Sequence, residues 1–358
     1  MKLKVLIVDD SALMRQQLKQ LCEKTGRFEV QVAKNGREAV EKNHSFQPDV
    51  ISLDINMPEM DGLTALSHIM VTRPVPVVMV SSLTEEGAFV TLEGLALGAV
   101  DYVTKPGGTI SLSLLQIEKE FIEKLKVAAR AKIKTNRRIS RKPEAEVQQE
   151  KTKFLRRSIP AKTVEGLVVV GVSTGGPTTL EEILPKLPPD FPLPIIVAQH
   201  MPSSFTGPFA NRLNAFCALQ VVEANRLLTI TPGTVYICRG GADTVVTNRG
   251  GKLMLLPKPE SPQYLWHPSV ELLGRSILDS YEPCRVIAVM LTGMGYDGAE
   301  AFTEIKKNGG RTIAESEDSA IVFGMPKELI DRKGATITLP GDKIADQLTS
   351  WARSLVSS

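Results

Sequence analysis

Residues 167–177 read LVVVGVSTGGP, and the interpretation of the second half of the chain turns on them. Leu167-Val168-Val169-Val170 is a short β-branched apolar run, as a strand buried on both faces requires. Gly171, Gly175 and Gly176 permit close backbone approaches that a side chain would forbid. Pro177 suits the first turn of a helix whose pattern continues through TTLEEILPKL. Ser173 is thereby placed at the carboxyl end of a strand, just before a helix N-terminus, where open α/β sheets carry their chemistry. The spacing Gly171-x-Ser173-x-Gly175 also fits the strand-to-helix turn that presents a nucleophilic serine. Glycine-rich turns bind phosphate as well, so the serine reading requires a base and a carboxylate from elsewhere in the chain.

Both partners are available downstream. Strand-like runs recur at 194–198, 235–238 and 286–291, and helical patterns at 177–187, 205–216, 297–308 and 342–355. The Thr-, Val- and Gly-rich segment 219–256 predicts a β-hairpin excursion from a second doubly wound α/β sheet. The histidines of this half are His200 and His267. His200 directly follows the strand IIVAQ, at the same end of the sheet as Ser173. His267 lies in QYLWHPSVE, away from any predicted strand, so His200 is the better base. Asp297 follows a buried strand and a glycine-rich turn in VIAVMLTGMGYDGA, placed to orient an imidazole. Taken alone it reads equally well as a helix N-cap. Main-chain N–H groups of the turn Thr292-Gly293-Met294-Gly295 are positioned to hold an oxyanion. The order Ser, His, Asp differs from the Ser, Asp, His order of α/β-hydrolases, which argues against a lipase.

The first third alternates strand and helix patterns five times, with apolar runs at 5–8, 30–33, 50–53, 75–80 and 100–103. That alternation predicts a flavodoxin-like, five-stranded parallel sheet with helices on both faces. Asp9 and Asp10 follow the first strand and Asp54 ends the third, so three carboxylates converge on one crevice. Like charges that close need a counter-ion, and oxygen ligands of this kind suit Mg²⁺. Ser81 and Lys105, at the ends of the fourth and fifth strands, add a hydroxyl and an ammonium suited to a transferred phosphoryl group.

A chain of 358 residues fits two domains. The segment 123–163 between them is read as a basic helical extension and flexible linker, with nine Lys or Arg and no acid from Lys124 to Lys142. No aromatic residues interleave those charges, so a solvated connector is favoured over a nucleic-acid or membrane-surface patch. No run approaches the ~20 apolar residues of a membrane span, and MKLKVLIVDD is too short in its apolar part for a signal peptide. Cys22, Cys217, Cys238 and Cys284 form no CxxC pair, so neither a zinc site nor a disulfide framework is expected and the protein reads as cytoplasmic.

The words VDDSALMR, LDINMPEMDG, VSS and DYVTKPGG resemble the receiver domain of two-component response regulators over residues 1–122. The resemblance implies phosphorylation on Asp54. It implies Mg²⁺ held by Asp9, Asp10, Asp54 and the main-chain carbonyl of Asn56, with Ser81 as switch hydroxyl, Lys105 as phosphate contact and Tyr102 as an aromatic reporter. The segments GVSTGGP, AQHMP, SSFTGPFANRL, HPSVELL, LTGMGYDGA and VFGMPKE resemble the catalytic domain of the chemotaxis protein-glutamate methylesterases over residues 164–352. That resemblance implies Ser173 as nucleophile, His200 as general base and acid, and Asp297 as orienter. Met294 would supply an oxyanion N–H, and Thr174 with Met294 would shape the site. The implied protein is a phosphorylation-activated carboxylic ester hydrolase that also deamidates some glutamines, acting in chemotactic adaptation. Its substrates would be methylated cytoplasmic helices of chemoreceptors and its phosphodonor a chemotaxis histidine kinase. No esterase cofactor, nucleic acid or membrane insertion is implied. The chain departs from the family pattern at His267, Gly274, Glu315 and Cys238 to Asp243, none of them in the triad.

Two rival readings come from other classes. One is a receiver joined to a nucleic-acid-binding output, which lacks a helix-turn-helix or aromatic signature. The other is a nucleotide-binding module with Gly171 to Pro177 as phosphate cradle, which lacks the GK[ST] lysine and an acidic ribose partner.

Overall fold

A computed structural model of the chain describes residues 2–105, 111–133 and 164–357, with helical backbone alone for 111–117. Pro106-Gly107-Gly108 and the greater part of the expected linker, 134–163, lie outside the described residues. The chain divides into two compact units, Met1–Arg137 and Arg138–Ser358.

The first unit alternates β1 (Leu3–Val8), α1 (Ala12–Lys24), β2 (Phe28–Ala33), α2 (Gly36–Phe46), β3 (Val50–Asp54), α3 (Gly62–Thr72), β4 (Val77–Ser81), α4 (Glu85–Ala96), β5 (Asp101–Thr104) and α5 (Ser111–Ala128). Its five strands pair in parallel in the order β2-β1-β3-β4-β5, as the alternating pattern predicts. Val5 to Val8 and all of β3 and β4 are buried, which is why they read as unbroken apolar runs. The first four helices begin on side-chain caps, in which Ser11, Asn35, Asp61 and Thr84 accept from Met14, Glu38, Thr64 and Gly87 N–H. The boundary expected at 122 falls inside α5, whose Phe121, Leu125 and Ala128 are buried against the sheet. The basic reading also changes for this stretch. Lys124 Nζ bonds Tyr102 O at 2.6 Å and pairs with Asp101 at 3.4 Å, so it belongs to the receiver's interior rather than to a basic patch.

The second unit holds β6 (Leu167–Val172), α6 (Gly176–Ile183), β7 (Ile195–Gln199), α7 (Ser203–Phe216), β8 (Gln220–Ala224), β9 (Leu228–Thr229), β10 (Thr234–Cys238), β11 (Asp243–Arg249) and β12 (Lys252–Lys258). It continues through α8 (Val270–Ser280), β13 (Val286–Met290), α9 (Ala299–Lys307), β14 (Arg311–Glu315), α10 (Met325–Asp331), β15 (Ile337–Leu339) and α11 (Gly341–Val356). Seven strands pair in parallel in the order β15-β14-β13-β6-β7-β10-β8. The hairpin excursion is narrower than 219–256. β11 and β12 pair antiparallel and β9 joins them, whereas β8 and β10 stay in the parallel sheet. β14 (RTIAE) and β15 (ITL) were not legible as strands, because each is short and mixes polar residues into the apolar ones.

From β6 the chain builds outward to β7 on one side and returns as β13 on the other. The carboxyl ends of these three central strands therefore share one rim, at the point where the winding direction changes, and such rims hold the functional crevice of open α/β sheets.

Candidate active site

Ser173, His200 and Asp297 each follow one of those three strands. Ser173 N–H bonds Thr292 O at 3.0 Å and His200 N–H bonds Val172 O at 3.1 Å, which ties each post-strand turn to its neighbour. His200 Nδ1 lies 3.1 Å from Ser173 Oγ and Nε2 lies 2.9 Å from Asp297 Oδ2. Hydroxyl, imidazole and carboxylate thus form one hydrogen-bonded chain, as the strand-end positions predict. With Asp297 ionised, Nε2 carries the proton and Nδ1 faces the hydroxyl with its lone pair.

Asp297 does more than face the histidine. It accepts from Ser269 Oγ at 3.1 Å, Val270 N–H at 2.7 Å and Glu271 N–H at 2.9 Å. These donors are the first residues of α8, so the carboxylate sits at the positive end of that helix. The N-cap reading does not hold: the following helix, α9, starts after Gly298 without a side-chain cap, and Asp297 instead accepts from the N-terminal amides of α8, whose N-cap is Ser269. The stretch QYLWHPSVE is accordingly not remote. It delivers Ser269, the side-chain cap of α8, to Asp297 and lays Trp266 flat on the His200 ring, with centroids 5.5 Å apart and planes 1° from parallel.

The glycines of LVVVGVSTGGP are accounted for by protein neighbours. A Cβ on Gly171 would lie 2.5 Å from Val270 Cγ1, one on Gly175 2.7 Å from Ile321 Cβ, and one on Gly176 2.0 Å from Gln199 Oε1. Gln199 Nε2 in turn bonds the carbonyls of Ser173 and His200, both at 3.0 Å. Close packing explains these glycines without a bound phosphate, which removes the motif's support for a nucleotide cradle.

In the turn after β13, Gly293 N–H is committed to Val322 O at 3.0 Å. Met294 N–H has no hydrogen-bond partner among the described residues. Thr174 is buried, and its carbonyl accepts from Thr292 Oγ1 at 2.9 Å, locking the serine turn to this one. Glu315, fully buried at the end of β14, accepts Thr292 N–H at 2.8 Å. Sequence reading missed Trp266, Ser269, Gln199 and Glu315 as parts of the site. Of these only Ser269 carried a signal, a Pro-Ser-x-Glu start with an apolar pattern behind it.

The receiver crevice forms as its strand ends require. Ligating oxygens of Asp9, Asp10 and Asp54 all lie within 4.8 Å of one another. Lys105 Nζ is 2.7 Å from Asp54 Oδ2 and 3.5 Å from Asp9 Oδ2. Burial holds the Asp54 carboxyl above its usual range, against the opposing pull of the Lys105 ammonium. Burial would lower the Lys105 ammonium, but its bond to Asp54 and the two carboxylate charges outweigh that and raise it. Asp9 Oδ2 is buried and makes no well-formed hydrogen bond, with only the Lys105 ammonium near it at 3.5 Å, so the set fits a hard cation with oxygen ligands. Asn56 lies two residues beyond β3. Ser81 Oγ accepts from Thr91 Oγ1 at 2.7 Å and is 3.2 Å from Gly87 O, turned toward α4. Tyr102 is buried, with the Lys124 ammonium 4.9 Å above its ring.

Comparison with known proteins agrees with both halves. Residues 5–114 match the response regulator receiver domain and residues 168–348 match CheB methylesterase. The chain is 54% identical over 354 residues to protein-glutamate methylesterase/protein-glutamine glutaminase 3 of Rhodospirillum rubrum, covering 97% of this chain and 96% of that one. It is 45% identical to protein-glutamate methylesterase/protein-glutamine glutaminase 2 of Rhodopseudomonas palustris, over 98% of this chain and 99% of that one. The second unit is similar to the crystal structure of the Thermotoga maritima CheB methylesterase catalytic domain, with 38% identity and a TM-score of 0.50 over 52% of this chain and 98% of that one. A receiver in front of a sheet with these matches, continuous over nearly the full length of such relatives, places the chain in the CheB family of protein-glutamate methylesterases/protein-glutamine glutaminases.

Proposed function

We propose that Ser173, His200 and Asp297 hydrolyse glutamate methyl esters on chemoreceptor helices, and deamidate some receptor glutamines, at the cytoplasmic side of the membrane. His200 Nδ1 takes the proton of Ser173 Oγ as the oxygen attacks the ester carbonyl. Asp297 holds Nε2–H and stabilises the imidazolium that forms. The Met294 N–H receives the developing oxyanion. The proton on Nδ1 passes to the leaving methoxide, which departs as methanol, or to the leaving amine, which departs as ammonia. Water then attacks the glutamyl-serine ester, with His200 again as base, and frees the glutamate and Ser173. The observation that carries this reading is the unbroken hydrogen-bonded chain from Ser173 Oγ to Asp297 Oδ2.

In the receiver, Asp54 would accept a phosphoryl group from a chemotaxis histidine kinase. Asp9, Asp10, Asp54 and the Asn56 carbonyl would hold Mg²⁺, whose charge offsets that of the phosphoryl oxygens. Lys105 would contact the phosphate, and Ser81 would turn from Thr91 toward it, changing the surface of the receiver and raising esterase activity.

The decisive test uses the full chain and a serine-directed fluorophosphonate, read by mass spectrometry, beside methanol release from methylated receptor. Labelling confined to Ser173 and loss of both signals in Ser173→Ala are expected. Undiminished methanol release by Ser173→Ala would overturn the reading.

A further inference from the structure

Trp266 stands one residue from His267, in the stretch that sequence reading set aside. Its indole stacks parallel to and offset from the His200 imidazole and meets the Tyr296 ring edge-on, with centroids 5.3 Å apart and planes at 84°. The backbone of the turn after β13 is shaped to admit it. Gly295 has φ +89°, and a Cβ there would lie 2.9 Å from Trp266 Cζ2 and 3.0 Å from Cη2.

The loop that carries the indole is clipped at its base. Asp243, fully buried at the start of β11, accepts Ser261 N–H at 2.8 Å on Oδ2. Its Oδ1 lies 3.0 Å from His267 Nδ1 and accepts Ser269 N–H at 3.0 Å. One carboxylate therefore closes both ends of 261–269. Two departures from the family pattern, at Asp243 and His267, are here partners in one contact.

An imidazole that must hold a hydroxyl on one nitrogen and a carboxylate on the other has one working orientation, and rotation about its χ2 breaks both bonds. A flat ring packed on its face opposes that rotation. The same ring presents π density to the imidazolium formed during attack, so it favours the charged state over the neutral one. The second effect grows as the imidazolium forms, and neither involves the substrate.

We propose that Trp266, held by the Asp243–His267 clip, is a positioning residue for His200 that raises turnover rather than substrate affinity. The inference rests on the triad reading above. Its test is made on the full chain with Trp266→Ala, Trp266→Phe and, as a variant that leaves the indole in place, His267→Ala. Three quantities are read: the rate of Ser173 phosphonylation by a small fluorophosphonate, kcat and KM for methanol release from methylated receptor, and the melting curve. For Trp266→Ala, phosphonylation and kcat should fall together by about tenfold, with KM within about twofold of the original. Trp266→Phe should recover most of the loss, and His267→Ala should show a smaller loss of the same kind. Should Trp266→Ala not fold, the Phe and His267 variants carry the same split between kcat and KM. Unchanged phosphonylation with a raised KM would make Trp266 a receptor contact and overturn the inference alone, as would unchanged rates in all three variants. Absence of Ser173 labelling in the unsubstituted chain would overturn the triad, and the inference with it.

Discussion

His200 offers Nδ1 to Ser173 Oγ at 3.1 Å and keeps Nε2 for Asp297, the reverse of the nitrogen usage in the chymotrypsin arrangement. What the chemistry needs is one protonated and one free nitrogen, and either assignment supplies that.

Asp297→Asn should lower kcat by about four orders of magnitude, because an amide can donate to Nε2 and so drive the proton onto Nδ1, facing the serine. The substitution also removes an acceptor from the first turn of α8, at a cost of about 1–3 kcal/mol. Steady-state methanol release and urea melts of the same variant separate the two effects. A loss in stability with turnover intact would refute the orienting role.

Ser269→Ala removes a hydroxyl that accepts Leu272 N–H at 3.2 Å and donates to Asp297 at 3.1 Å. A destabilisation of about 1 kcal/mol is expected from the lost cap, together with a several-fold fall in kcat as the carboxylate loses a restraint. Thermal melts and kcat on one preparation check both.

Gly176→Ala places a methyl against Gln199, the side chain that grips the carbonyls of both Ser173 and His200. Overpacking of this kind costs about 1–3 kcal/mol, and displacing the two groups by about 1 Å should cost about a hundredfold in turnover. Phosphoryl uptake at Asp54 in the same variant should be normal, which a phosphodonor assay reads directly.

Asp54 links receiver stability to pH. Its folded carboxyl is held above the usual range by burial, so the folded chain keeps this proton to higher pH than the unfolded chain. Stability then falls as pH rises from the ordinary carboxylate pKa, ~3.9, through the raised one. Asp54→Asn should therefore melt higher than the unsubstituted receiver at neutral pH and lose that advantage below about pH 4. Mg²⁺ should raise the melting temperature of the unsubstituted chain at neutral pH and do so far less for Asp54→Asn. Melts at two pH values, with and without the metal, test both statements.

How much of this was legible beforehand depended on the range of the interactions. β3 and β4 of the receiver and β6, β7 and β13 of the second sheet could be read because they are buried along their whole length and dominated by apolar, mostly β-branched residues; β2 (FEVQVA) and β5 (DYVT) were legible through the strand–helix alternation instead. Ser173 and His200 could be read because each directly follows such a buried strand, and Asp297 because it closes the glycine-rich turn after one. β14 and β15 could not, since Arg311, Thr312 and Thr338 interrupt the apolar pattern at the edge of the sheet. The reach of Trp266 over His200 and the gathering of the α8 amides on Asp297 were equally hidden. They join segments far apart in the chain through a loop with no periodicity, and only the assembled packing brings them together.

The triad is also spread along the chain in time. Asp297 lies 97 residues beyond the histidine it orients, and β13 reaches its place beside β6 only after the intervening strands have been synthesised. A nascent polypeptide on the ribosome therefore displays its serine long before that serine is dangerous to neighbouring esters. The hydroxyl gains its oriented imidazole only once β13 and the turn carrying Asp297 exist to join β6.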